Sequence, residues 1–255
     1  PTEKDIKTKK VYEQDVFSYT NKLMGETIKD LVRIFESNDN FLNTNFDDIR
    51  SLLKDSGNGI FGLGSGAGKN KALDHISFNI PENAIFGLLG PNGSGKSTLM
   101  RILANLITEW DGEIKFKDKK MNSDKSYLNH FGFIIESPCF YEYLSARKNL
   151  EILCRLTGTD FRIINELLDL VNLLHRSEDK VSHFSYGMKQ RLGIAQALLH
   201  DPQVLILDEP NNGLDPFGIN QIADILFHLK EKGKTICIST HSLNEVDRIC
   251  SDVAI

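Results

Sequence analysis

The chain has 255 residues, 40% hydrophobic and 25% charged, with a formal net charge of -5, which suits an ordinary globular domain with one large core or two lobes. That acidic balance, with no dense Lys/Arg stripe, argues against a duplex-binding surface. The four cysteines, Cys139, Cys154, Cys237 and Cys250, make no CxxC pair, which disfavours a disulfide framework or zinc site and suits a reducing cytoplasm.

In chain order, TEKDIKTKK reads as a charged, solvated tail, and QDVFSY reads as a strand ending near Tyr19. Ile28, Leu31, Val32 and Phe35 follow i, i+3, i+4, i+7 and predict one apolar helical face. Asn45 caps a second predicted helix, with Asp47 and Asp48 in its first turn and Ile49, Leu52 and Leu53 behind them. GLGSGAGKN, from Gly62 to Asn70, mimics a phosphate loop but fails its spacing. Leu63 stands where a glycine is required, Asn70 stands where Ser or Thr is required, and SGNGIF before it is mostly turn formers. It reads as a flexible connector. KALDHISFNI reads as a further strand.

GPNGSGKST then meets G-x-x-x-x-G-K-[ST] at every fixed position through Gly90, Gly95, Lys96 and Ser97. AIFGLLG before it reads as a buried strand and STLMRILANLI after it as a helix. Strand, glycine loop and helix together turn backbone N–H groups and a helix dipole onto a phosphate. Lys96 adds a point charge and Ser97 a hydroxyl for Mg²⁺.

Leu150, Leu153 and Leu156, then Ile164, Leu167, Leu168, Val171 and Leu174, mark apolar helix faces. In HFSYGMKQ, Ser185 and Gly187 open a helix that continues through Leu192, Ala195, Gln196 and Leu199. VLILDEP is an apolar strand ending in Asp208 and Glu209. Taken alone the acidic pair could be a cap; after a phosphate loop, Asp208 reads as a Mg²⁺ holder and Glu209 as the group that polarises water. His241 follows TICIST at a strand end, where α/β sheets place their ligands, and could meet a γ-phosphate. No apolar run approaches the roughly 18 residues of a membrane crossing and no signal peptide is recognised, so a membrane role would need another chain.

GPNGSGKST, FSYGMKQ, LILDEP, NGLDP and STH, in this order, resemble the ATP-binding cassette (ABC) ATPases from about Ala72 to Ile255. FGFIIESPCFYEYLSARKNLEIL and HFSYGMKQRLGIAQALLHDPQVLILDEPNNGLDP are similar to the bacitracin/bacteriocin resistance and lantibiotic immunity exporters. The resemblance implies an α/β fold: a P-loop NTPase core of ABC ATPase type with an antiparallel β subdomain and a helical subdomain. It implies ATP and Mg²⁺, with Glu209, His241 and Lys96 catalytic and Gly90, Pro91, Asn92, Gly93, Ser94, Gly95, Lys96, Ser97 and Thr98 on the phosphates. Ser185 and Gly187 would contact nucleotide held by a second cassette, with Asp215 along the seam. Partners would be a second ABC ATPase subunit and a transmembrane permease, with no nucleic acid, at the cytoplasmic face of the membrane.

The resemblance has departures. Glu136 stands where glutamine is usual; it could hold Mg²⁺ or water but adds negative charge beside a triphosphate. Tyr186 replaces the usual first glycine of the signature. For adenine stacking Tyr19 is preferred, since a residue count from Ala72 gives Ala67, which cannot stack; Phe61 is a weaker candidate. Residues 1–19 then carry the first strand, and 20–68 form an insertion, helical with a Gly-rich linker, that either packs on the cassette or docks a partner. Some polysaccharide-exporting cassettes carry extra residues in this gap, which keeps a glycan or lipid-linked cargo open. Residues 69–255 are the ABC ATPase domain, with the helical lobe at about 137–185. Its end at SDVAI, inside a strand-like stretch, reads as truncated. A soluble cassette acting on ribosomes or DNA is the rival reading, disfavoured by the single cassette; a regulatory, non-hydrolysing cassette is disfavoured by the intact Asp208, Glu209 and His241.

Overall fold

The computed structural model describes residues 59–60 (backbone only), 73, 76–117, 119–121 and 125–255, all within the unit Arg50–Ile255. Tyr19, the two helices expected around 28–53, the GLGSGAGKN connector, Phe61 and Ala67 lie outside the described residues.

Among the described residues six parallel strands form the central sheet, in the order β1-β8-β2-β7-β6-β5. They are β1 (Gly59–Ile60), β2 (Ile85–Leu89), β5 (Phe131–Ile134), β6 (Val204–Asp208), β7 (Thr235–Thr240) and β8 (Asp252–Ala254). A parallel sheet is covered on both faces, so its strands read as continuous apolar runs. All of VLILD in β6 and all of TICIST in β7 are buried. On one face, Leu150, Leu168, Leu192 and Leu226 pack with Leu205, Leu207 and Ile238. On the other, Met100 packs with Phe86, Ile206 and Cys237.

Around the sheet run α1 (Lys96–Leu103), α2 (Ala146–Thr157), α3 (Ile163–Leu170), α4 (Tyr186–Ala197), α5 (Pro216–Glu231) and α6 (Leu243–Ile249). Their starts follow capping chemistry. Ser145 accepts from Lys148 N, Ser185 from Met188 N and Asp215 from Gly218 N, each satisfying a first-turn donor. Gly158, at φ 73°, ends α2 in the left-handed conformation. The helices α2 and α3 fall within the expected helical lobe.

Three details differ from the sequence reading. First, β1 lies inside SGNGIF, which local propensity reads as turn; two residues are enough for it to add in parallel to β8, because strand formation follows the available partner more than the residue type. Second, KALDHISFNI, expected as a strand, alternates in burial: Ile76, Phe78 and Ile80 are half-buried while Ser77 and Asn79 are exposed. No ladder forms there among the described residues; the antiparallel pairing observed is the short hairpin of β3 (Lys115–Phe116) and β4 (Lys119–Lys120). Third, Leu156 and Leu174 are exposed rather than on core faces. Six residues after Leu150 lies off the i, i+3, i+4 stripe, and Cys154 takes the core position instead.

Candidate functional site

The glycine loop leaves β2 at Gly90, whose N–H donates to the carbonyl of Thr240 at the end of β7 (3.2 Å). The loop closes on itself where Ser94 N–H donates to Pro91 O (3.2 Å). Gly93 and Gly95 have φ of 84° and 98°, which L side chains rarely adopt. A Cβ at Gly90 would lie 2.7 Å from Ser94 Oγ, so a larger residue there would displace the Ser94 side chain. Gly95 caps α1 with no side-chain hydrogen bond, leaving the first-turn N–H groups directed at whatever lies before the helix.

Lys96 is buried, and its ammonium donates to Gly90 O at 2.7 Å and Pro91 O at 3.0 Å. Burial lowers its pKa; the nearby carboxylates of Glu209 and Asp208 oppose that shift by favouring the charged form. Asp208 and Glu209 stand at the C-terminal end of β6, beside β7. Asp208 is buried, and its Oδ1 accepts from Ser239 Oγ at 2.5 Å. Its other oxygen accepts no hydrogen bond from the described residues, which suits a carboxylate that ligates a cation.

Glu209 collects the rest of the site. Its Oε1 lies 3.9 Å from Lys96 Nζ and 3.4 Å from His241 Nδ1. Its Oε2 accepts from Asn212 Nδ2 at 3.2 Å. Its backbone sits at φ 45°, a left-handed conformation that is uncommon for a non-glycine residue and concentrated at functional sites. Sequence alone groups Lys96, Asp208, Glu209 and His241, and these side chains do come together. Ser239 and Asn212 are additions from the structure. The pairing of β6 with β7 was the available signal for Ser239, since Asp208 is directly opposite it; for Asn212 it was its place three residues after Glu209.

Glu136 stands apart from that group. It follows β5, has φ 66°, and its Oε1 pairs with Arg101 Nη2 on α1. No hydrogen bond or ion pair among the described residues joins it to Lys96, Ser97 or Asp208. Arg101 was not anticipated; it offers a positive partner for the carboxylate that replaces the usual glutamine. Ser185, Gly187 and Asp215 form another cluster, linked through Leu214, whose Cδ2 would meet a Cβ at Gly187 at 3.3 Å and whose side chain flanks Gly218. No hydrogen bond or ion pair among the described residues ties these three to residues 90–98.

A parallel sheet, a glycine loop running into a helix, a buried lysine and two carboxylates at the end of β6, with β7 between it and β2, define a P-loop nucleotide-binding domain. The profile of the family described as "ABC transporter" matches residues 73–212. The chain is 44% identical over 191 residues to the bacitracin transport ATP-binding protein BcrA of Bacillus licheniformis, covering 74% of this chain and 62% of that protein. It is 42% identical over 182 residues to the lantibiotic transport ATP-binding protein SrtF of Streptococcus pyogenes, covering 71% of this chain and 79% of that one. A solved structure of an ATP binding subunit of an ABC transporter superposes with TM-score 0.64 at 30% identity, over 76% of this chain and 83% of its own. The chain belongs to the ABC transporter family, as an ATP-binding cassette. It spans less than two thirds of the length of BcrA.

Proposed function

We propose that this chain is the ATP-hydrolysing motor subunit of an ABC exporter for a drug, peptide or lipid-linked compound. The exporter reading is supported by the likeness to the bacitracin and lantibiotic transport ATP-binding proteins. The observation that carries the hydrolysis reading is the setting of Glu209. One carboxylate is aimed between Lys96 and His241 at the mouth of the glycine loop, held by Asn212 and beside the buried Asp208.

In this reading ATP is the substrate. The loop N–H groups of residues 90–98 and the Lys96 ammonium bind and orient its phosphates, and Glu209 takes up the proton of the attacking water. His241 holds the γ-phosphate oxygen. Ser97 and Asp208 would hold Mg²⁺, which would neutralise charge developing on the phosphate oxygens. Glu136, once released from Arg101, is a further candidate near that ion. Ser185, Gly187 and Asp215 then serve a second copy of the cassette, which fits their lack of any polar link to this chain's own loop. Tyr19 is kept as the adenine-stacking candidate. Among the described residues no helix is long and apolar enough to cross a membrane. A separate permease that carries the cargo, with the cassette at its cytoplasmic side, is supported by the likeness to the transport ATP-binding proteins.

The test is Glu209→Gln, which keeps size and removes basicity. ATP binding should persist while turnover falls about 10²- to 10⁴-fold; turnover within two-fold of wild type, by the same general acid–base range, would remove Glu209 from the assignment. Purification of the natural full-length protein in mild detergent should bring with it a multi-span membrane protein. Recovery of ribosomal or DNA-repair proteins alone would overturn the transporter reading.

A further inference from the structure

We infer that Ser239 is a positioning residue for both carboxylates of the site, its one hydroxyl setting Asp208 and Glu209 at the same time. The inference rests on the nucleotide-hydrolysis reading above. Ser239 lies on β7, fully buried, directly opposite Asp208 in the parallel ladder. Its hydroxyl has a single proton and two lone pairs, and the geometry assigns the proton and one lone pair. The Glu209 backbone N–H can only donate, so the Ser239 oxygen accepts there at 2.9 Å. The proton therefore goes to Asp208 Oδ1 at 2.5 Å.

Each bond has its own consequence. The bond to Asp208 fixes the rotation of that carboxylate and occupies Oδ1, so that Oδ2 is the oxygen offered to a cation. The bond from Glu209 holds the backbone at φ 45°, a conformation an L residue leaves readily when nothing restrains it. The side-chain end of Glu209 is held separately, by Asn212 on Oε2. Two restraints thus act on one residue, and the one at Ser239 is the one shared with the metal-holding carboxylate. A hydroxyl enclosed between two functional groups, with both of its bonding roles used, is a poor candidate for mere packing; alanine would fill nearly the same volume.

The experiment compares wild type, Ser239→Ala and Ser239→Thr, with Glu209→Gln as a control. A fluorescent ATP analogue is titrated with Mg²⁺ and with EDTA, steady-state turnover is measured, and a thermal melt checks folding. In Ser239→Ala we expect unchanged affinity in EDTA, a Mg²⁺ half-saturation raised about 10-fold, and kcat lowered about 10- to 100-fold with KM within about two-fold, the range for losing hydrogen bonds to a charged group. Ser239→Thr, which keeps the hydroxyl, should restore both readouts. The inference is overturned if Ser239→Ala keeps wild-type Mg²⁺ half-saturation, or if its EDTA affinity and melting temperature fall together, which is the mark of a structural role. If the added methyl of Ser239→Thr prevents folding, the alanine variant still decides. A wild type that binds the Mg²⁺ nucleotide but turns over no faster than Glu209→Gln would count against the hydrolysis reading alone, because the Mg²⁺ titration reports on Ser239 without turnover.

Discussion

Replacing Gly132 with alanine loads the point where β5 passes beneath the C-terminal end of α4. A Cβ there would lie 2.3 Å from the carbonyl oxygen of Ala197, 3.1 Å from its carbonyl carbon and 2.9 Å from Leu205 Cδ2. The first contact is about 1 Å inside an ordinary C···O approach of ~3.3 Å. The atom met is backbone, so no rotamer change relieves it, and Leu205 is itself fully buried. Either the strand or the helix must move. Overpacking of this kind costs about 1–3 kcal/mol, and a backbone clash belongs at the upper end. For a domain of this size that is a fall in melting temperature of about 5–12 °C, measured by thermal and urea unfolding. Gly158→Ala is the control, since nothing lies within 4 Å of its Cβ and only its φ of 73° is unfavourable; it should cost about 1–2 kcal/mol. If Gly132→Ala fell within about 0.5 kcal/mol of wild type, the range of neutral surface changes, the helix would not be seated on the sheet as described.

Three further outcomes are expected. Asn149 is buried and makes three hydrogen bonds around the entry to α2, accepting from Tyr141 N (2.8 Å) and donating to Tyr141 O (3.1 Å) and Ser145 O (3.0 Å). Asn149→Ala should lower stability in urea by about 2–4 kcal/mol, and Asn149→Asp by at least as much, because a carboxylate would face two carbonyl oxygens. Arg101→Ala should raise the KM for ATP about two- to five-fold by leaving Glu136 uncompensated, in line with the modest worth of exposed ion pairs; Glu136→Gln on that background should restore it, and failure of this rescue would deny the charge argument. Burial pushes the thiols of Cys237 and Cys250 up to about 12 and raises that of Cys154, whereas Cys139 is exposed. A maleimide at pH 8 should therefore label Cys139 in the native protein and the other three only after unfolding, as read by mass spectrometry of peptides.

What the sequence revealed and what it hid divide along a physical line. Gly93 and Gly95 were legible because their backbone conformations are ones L side chains rarely adopt, so composition records geometry there. The strands β2, β6 and β7 were legible because burial on both faces demands unbroken apolar runs. Ser185 was legible as a residue type that opens a helix. Ser239 and Arg101 were not, because their roles come from partners far away in sequence. Ser239 is an ordinary strand serine until register sets it opposite Asp208. Glu209 gives no sign of its left-handed backbone, since no residue type announces a strain that the surroundings impose. Leu156 misled for the opposite reason: a leucine in a helix does not by itself declare which face it occupies.

The contacts around Tyr186 explain the least familiar letter of the signature stretch. Tyr186 follows the α4 cap, remains about half exposed, and its hydroxyl accepts from Gln190 Nε2 at 2.8 Å. Its ring lies where a Cβ at Gly213 would be 3.6 Å from it, and Gly213 has φ 74°. The aromatic side chain is accommodated because the opposing loop has none at that point. Leu214, one residue on, closes against Gly187 in the reverse sense, so each glycine faces a bulky residue from the other segment. The loop cannot stretch freely, because Asn212 N–H is bonded to Glu209 O (3.1 Å) and Leu214 N–H to Asn211 O (3.2 Å). Asn212 in turn holds Glu209 Oε2. From Tyr186 to the carboxylate there are thus only short, bonded or close-packed links. Residues 209–214 therefore join the tyrosine's surroundings to the Glu209 carboxylate through packing and hydrogen bonds that a glycine at position 186 would not extend.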